Sequence, residues 1–146
     1  MPRFSLETAL KVRERLEKLY QKALAEQVQF EHQHRDVIKV MDDALKVYNN
    51  DIDKAKKEGV TMNQLIIGDQ FQKRIKKHLD LKQEQLKEQM EIVELKRYEL
   101  TKATQKKRVF EILKEKEIKE YNSEKLRLER LEADEIAQNY RRFSQN

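Results

Sequence analysis

Three histidines, several paired carboxylates and two basic runs are the residues here whose types could do chemistry. His32 and His34 stand two residues apart. On a helix that spacing turns them to different faces, so they cannot share a metal, and with His78 they read as solvated surface histidines. Asp42-Asp43 and Asp51-Ile52-Asp53 lack the glycine and terminal glutamate of a calcium loop and read as a solvated helix face. Gly59 and Gly68 frame no phosphate loop, because its Lys and Ser/Thr are missing. With no cysteine there is no disulfide, thiolate zinc site or thiol nucleophile. Carboxylates abound, but tuning them for acid–base work needs a desolvating cleft. The expectation is a chain without catalytic, cofactor-binding or metal-ligating residues, and therefore not an enzyme.

The basic runs are Lys73-Arg74-Ile75-Lys76-Lys77 and Lys106-Lys107-Arg108. Residues 69–119 carry 15 Lys and Arg against 10 Asp and Glu, while the remainder has 17 of each. Such a stretch serves an acidic partner surface, nucleic-acid phosphates, or simply solubility. A basic zipper needs one basic block continuous with one clean zipper, whereas acids are interleaved throughout this chain. Nucleic-acid binding is therefore not expected. Nor is membrane insertion: Leu65-Ile66-Ile67 is the longest aliphatic run, far short of the ~20 residues of a span. The first residues lack the apolar core of a signal peptide, so a soluble, cytoplasmic protein is expected.

The elements that carry these residues follow from composition. Hydrophobic residues make up 38% of the chain and charged ones 40%, with two glycines and one proline. That is too little apolar mass for a compact globule and too balanced a charge for disorder, but it suits long helices with narrow apolar seams. Pro2 and Ser5 mark a helix start, with Ser5 as N-cap and Glu7 in the first turn. A seven-residue period follows. Positions 9, 16, 23, 30, 37 and 44, with 12, 19, 26, 33, 40 and 47, are apolar at ten of twelve places; Glu26 and Gln33 are the exceptions. Toward its end the seam slips to Met41, Leu45, Tyr48, Ile52 and Ala55.

Gly59 fits a left-handed C-cap, and Thr61-Met62-Asn63-Gln64 reads as a capping box opening a short piece that Gly68 interrupts. The expected architecture is all-α: a single antiparallel two-helix coiled-coil hairpin with helices at about 5–58 and 69–142 and a tip at 59–68. The second seam runs Phe71, Ile75, Leu79, Leu86, Met90, Val93, Leu100, Ala103, Phe110, Leu113 and Tyr121, with Lys82, Lys96 and Lys107 intruding. In the tip, Met62, Leu65, Ile66, Ile67 and Phe71 serve as a cap closing the hairpin or as a binding patch. Folding at the tip sets Phe4 opposite about residue 124. The last ~20 residues of the second helix then overhang. They still carry Leu126, Leu128, Leu131, Ile136, Tyr140 and Phe143, apolar surface with no partner in the chain.

The run Phe4-Ser-Leu6-Glu-Thr-Ala-Leu10-Lys-Val-Arg13, with Leu24-Ala25-Glu26, resembles the start of the FliJ family of flagellar type III export proteins. Glu129-Arg-Leu-Glu132-Ala-Asp134-Glu135-Ile136-Ala137 resembles its terminal signature, with Arg130 where the family more often has glutamine. Gly59 and Phe71 match its tip. The resemblance implies a non-catalytic stalk, built like the central stalk of rotary ATPases. It inserts in the hexameric export ATPase, stimulates or assembles it, and links it to the export-gate membrane protein and to export chaperones. A monomer when free and no cofactor are expected, with the protein held at the cytoplasmic side of the inner membrane through the export apparatus. The family's gate contact falls here on Met41, Tyr48, Phe71 and Ile75, while Ala44 and His78 on that face differ in type. The overhang makes Arg127, Leu128, Leu131, Ile136, Tyr140 and Arg141 the candidate ATPase contact. The competing readings are a structural coiled coil that dimerises through the overhang, and a nucleic-acid-binding coiled coil.

Overall fold

The computed structural model describes residues 4–144, which leaves Pro2 outside the described residues. Two helices account for nearly all of them: α1 (Glu7–Glu58) and α2 (Met62–Ser144). They pack on each other, with no strand among the described residues. Cross-helix contacts run antiparallel. Within the unit formed by α1 up to Lys18 and α2 from Thr101 onward, Ser5 meets Glu117, Glu7 meets Lys114, Arg13 lies over Phe110 and Glu17 meets Lys107. Within the second unit, Leu19–Leu100, Gln27 meets Gln89, Asn49 meets Gln72 and Tyr48 meets Phe71.

The connection is shorter than the sequence suggests. Gly59 adopts φ +99°, the left-handed conformation that ends a helix, and Lys56 and Lys57 occupy the last turn of α1. The capping box forms reciprocally: the Thr61 amide donates to Gln64 Oε1 at 3.0 Å, and the Gln64 amide donates to Thr61 Oγ1 at 3.3 Å. From there α2 runs unbroken through Gly68, so the tip is not 59–68 and the second helix does not begin at 69. Gly68 sits inside the helix for a packing reason. A Cβ there would lie 2.6 Å from the Tyr48 hydroxyl and 3.4 Å from Ile52 Cδ1, so glycine admits the close approach of α1.

The start of α1 also differs from expectation. Leu6, whose carbonyl accepts from the Leu10 amide at 2.9 Å, occupies the cap position. The Ser5 hydroxyl instead donates to Glu117 Oε2 at 3.4 Å.

The larger difference is the register of α1. The seam runs through Leu10, Arg13 and Glu17 in the first unit and Tyr20, Leu24, Gln27, Glu31, His34, Ile38, Met41, Leu45, Tyr48, Ile52 and Ala55 in the second; Ala9, Leu16 and Ala23 of the expected seam, with Glu7, Val28, Asp42 and Asn49, are half-buried beside it. The residues expected to slip into it near Met41 belong to it throughout, and most of the expected seam lies outside, with Val12, Leu19, Phe30, Val37, Val40 and Val47 exposed. Polar seam residues are tolerated because α2 supplies partners. Gln89, itself buried, donates its amide to both Gln27 O and Gln27 Oε1 at 2.9 Å. Lys107 Nζ donates to Glu17 Oε1 at 2.9 Å, while Glu17 Oε2 is buried without a partner.

On α2 the expected seam holds at Ile75, Leu79, Leu86, Val93, Leu100, Ala103 and Phe110, whereas Phe71, Met90, Leu113 and Tyr121 lie at its edge and stay partly exposed. Lys82, Lys96 and Lys107 are half-buried, their stems along the seam.

Candidate partner-docking surfaces

Around the turn, Tyr48 and Phe71 are brought together, ring centroids 4.6 Å apart at 54°, a tilted aromatic pair. Of the four residues expected on the gate-facing surface, Met41, Tyr48 and Ile75 are half-buried seam residues. Part of their apolar surface is spent on helix packing. Phe71 is exposed. His34 is a half-buried seam residue rather than a solvated one, while His32 and His78 are exposed. Among the described residues no group of three or more metal-ligating side chains gathers.

The sequence reading missed a surface of α1 in the Leu19–Leu100 unit. Leu19, Phe30, Val37, Val40 and Val47 recur at helical spacing on its outward flank, Val40 at 68% exposure. The heptad count found these residues and assigned them to the seam. The competing heptad through Leu10, Leu24, Ile38, Leu45 and Ile52 was the available signal for the true assignment.

In the other unit, α2 continues past its last partner on α1. Phe4, Ser5 and Leu6 line a shallow groove with Leu113, Lys116, Glu117 and Glu120, so Phe4 lies short of residue 124. From Ile118 to Ser144 every residue is exposed. Leu128, Leu131, Ile136, Tyr140 and Arg141 are all in this tail, with Tyr140 at 76% exposure. At ~100° per residue, Ile136 and Tyr140 share a face with Leu126 and Phe143. Leu131 and Arg127 fall on another side, with Leu128 between. The expected contact set is thus two faces rather than one. Arg127 is held by Glu124, with Nε donating to Oε2 at 3.0 Å, and this hydrogen bond holds the Glu124 carboxyl below its ordinary range.

The basic runs differ in how free they are. Lys107 bonds Glu17 and Glu111, and Arg108 bonds Glu111 and Glu115 at 3.1 and 3.2 Å. The hydrogen bond to Glu17 pushes the Lys107 ammonium up from its ordinary pKa despite the cost of burial. That run is largely neutralised within the fold.

The model of the flagellar FliJ protein family matches residues 2–146, essentially the whole chain. The chain belongs to the FliJ family. FliJ membership makes it a component of the flagellar export apparatus. No curated protein and no solved structure matches. As a FliJ-family chain it has the helical hairpin that the resemblance implies, and among the described residues no helix is long and apolar enough to cross a membrane.

Proposed function

We propose that this FliJ-family chain is a non-catalytic stalk of the export apparatus that docks on the hexameric export ATPase through the tail of α2. The observation that carries this reading is the uncovered tail. It is helical to Ser144, exposed throughout, and lined on one face by Leu126, Ile136, Tyr140 and Phe143. Apolar side chains held in a helix without a partner gain most by entering a groove of another protein. Arg127 and Arg141 orient the encounter more than they tighten it.

The second part of the proposal concerns the turn. The aromatic pair Tyr48 and Phe71, with the accessible parts of Met41 and Ile75, forms the contact for the export-gate membrane protein. The outward stripe of α1 from Leu19 to Val47 offers export chaperones an apolar flank. The chain acts as a monomer when free and reaches the membrane through these partners. With its second basic run neutralised internally, it has little free charge there for nucleic acid.

Purified chain is expected to raise the hydrolysis rate of the cognate export ATPase. Ile136→Ser/Tyr140→Ser is expected to weaken that effect about tenfold or more, with helix content unchanged. Absence of both stimulation and binding by the unaltered chain would sink the proposal. A stable dimer by sedimentation at micromolar concentration, again without ATPase binding, would favour the structural coiled-coil reading instead.

A further inference from the structure

The end of α1 from Lys54 and the first four turns of α2 concentrate both exposed apolar surface and positive charge. From Lys54 to Lys77 there are seven Lys and Arg and two acids, Glu58 and Asp69, an excess of five that equals the net charge of the whole chain. Lys73 pairs with Asp69 at 3.0 Å. The other six cations take no ion-pair partner among the described residues, in contrast to Lys107 and Arg108.

Of the apolar residues here, Leu65 and Phe71 pack toward α1, and the others do not close the hairpin. Leu65 and Gly68 line a groove with Tyr48 and Ile52 of α1. That orientation turns Met62, Ile66 and Ile67 outward, at 71%, 49% and 66% exposure. At ~100° per residue, Ile66 and Ile67 share the outward half of α2 with Lys73, Arg74 and Lys77. The result is a convex aliphatic knob with flexible cations behind it. The capping box and Gly59 hold its backbone in place.

We propose that this turn seats on an anionic lipid surface. Met62, Ile66 and Ile67 enter the boundary between headgroups and acyl chains, while Arg74 and Lys77 hold the anionic headgroups. Neither signal is strong alone, and reversible membrane binding needs both. The knob's chemistry favours lipid over an acidic protein. Protein hot spots centre on Trp, Tyr and Arg fitted to pockets, whereas this knob is aliphatic and convex. Lysine ammoniums on flexible stems suit mobile headgroups rather than one fixed carboxylate geometry. A peripheral seat needs no spanning helix, and it uses none of the residues proposed above for the ATPase or gate contacts.

The test is co-sedimentation of the full chain with vesicles. Binding is expected to phosphatidylcholine vesicles containing about 30% phosphatidylglycerol and not to phosphatidylcholine alone, and to fall as salt rises. Met62→Ser/Ile66→Ser/Ile67→Ser and, separately, Arg74→Gln/Lys77→Gln are each expected to lower the bound fraction about tenfold. Both change exposed side chains, so circular dichroism should stay that of the unaltered chain. Failure to bind anionic vesicles at low salt, equal binding to neutral ones, or wild-type binding by both variants would overturn the proposal. So would the same substitutions abolishing binding to an acidic domain of the gate while vesicles go unbound. ATPase stimulation is read separately and would survive any of these outcomes.

Discussion

The turn between α1 and α2 and the tail of α2 both expose apolar side chains, but they are held differently. At the turn, the reciprocal cap of Thr61 and Gln64, the left-handed Gly59 and the Tyr48–Phe71 pair fix the backbone before any partner arrives. The tail has the Glu124–Arg127 pair and a bond from the Ser144 hydroxyl to the Arg141 carbonyl, both local. A helix of some two dozen residues without tertiary packing is marginal in water. The turn is therefore a preformed surface, whereas the helix of the tail lacks tertiary support, so the docking proposed for it would carry a cost of holding that helix in order.

The largest effect that separates packed from unpacked helix is on stability. Val93 is 2% exposed, and Val93→Ala is expected to cost about 2 kcal/mol. Ile136→Ala in the tail should stay within about 0.5 kcal/mol. Thermal unfolding followed by circular dichroism reads both, and equal losses would erase the distinction.

A smaller effect tests the turn. Gly→Ala inside a helix ordinarily stabilises by about 0.5–1 kcal/mol. At Gly68 the added methyl meets the Tyr48 hydroxyl at 2.6 Å, so Gly68→Ala alone should gain nothing. In a Tyr48→Phe background the ordinary gain should return. A full gain in the unaltered background would mean that Tyr48 does not hold that position.

The smallest effects are those of pH. The hydrogen bond from Arg127 lowers the Glu124 pKa below its ordinary 4.5, and the hydrogen bond from Arg108 does the same for Glu111. A carboxyl depressed in the folded state contributes stability above its ordinary pKa and loses it as pH falls through the depressed value. Lys107 has the opposite sign. Raised chiefly by its hydrogen bond to Glu17, it contributes fully below the ordinary lysine value of 10.5 and loses this as pH rises through the raised one. Helix content should therefore soften slightly on acidification below about pH 4.5, and Glu124→Gln should remove the tail's share. An unchanged acid profile in that variant would show that the pair does not hold the tail.

How much of this was legible in the sequence varies by element. Gly59 and the Thr61–Gln64 box sit where their residue types place them, because capping is a local interaction. The uncovered tail followed from unequal helix lengths, and the structure makes it slightly longer, since Ser5 meets Glu117. The α1 seam was misread because two heptads compete. The one through Val12, Leu19, Val40 and Val47 is the more apolar, and counting apolar residues on a single helix selects it. The one used carries Arg13, Glu17, Gln27 and Glu31, whose cost disappears once Phe110, Lys107 and Gln89 face Arg13, Glu17 and Gln27 and Arg35 bonds Glu31. That information lies mostly in pairs across the two helices. Gly68 was read as a breaker for the same reason, since the side chain that requires it is Tyr48 of α1.

Amide hydrogen exchange on the full chain, with and without the cognate export ATPase, tests the central claim most directly. Amides of residues 121–144 should exchange much faster than those of residues 79–100 in the free chain and become protected when the ATPase is added. A tail already protected when free, or one left unprotected while the ATPase shields another region, would contradict the assignment of the tail as the docking helix.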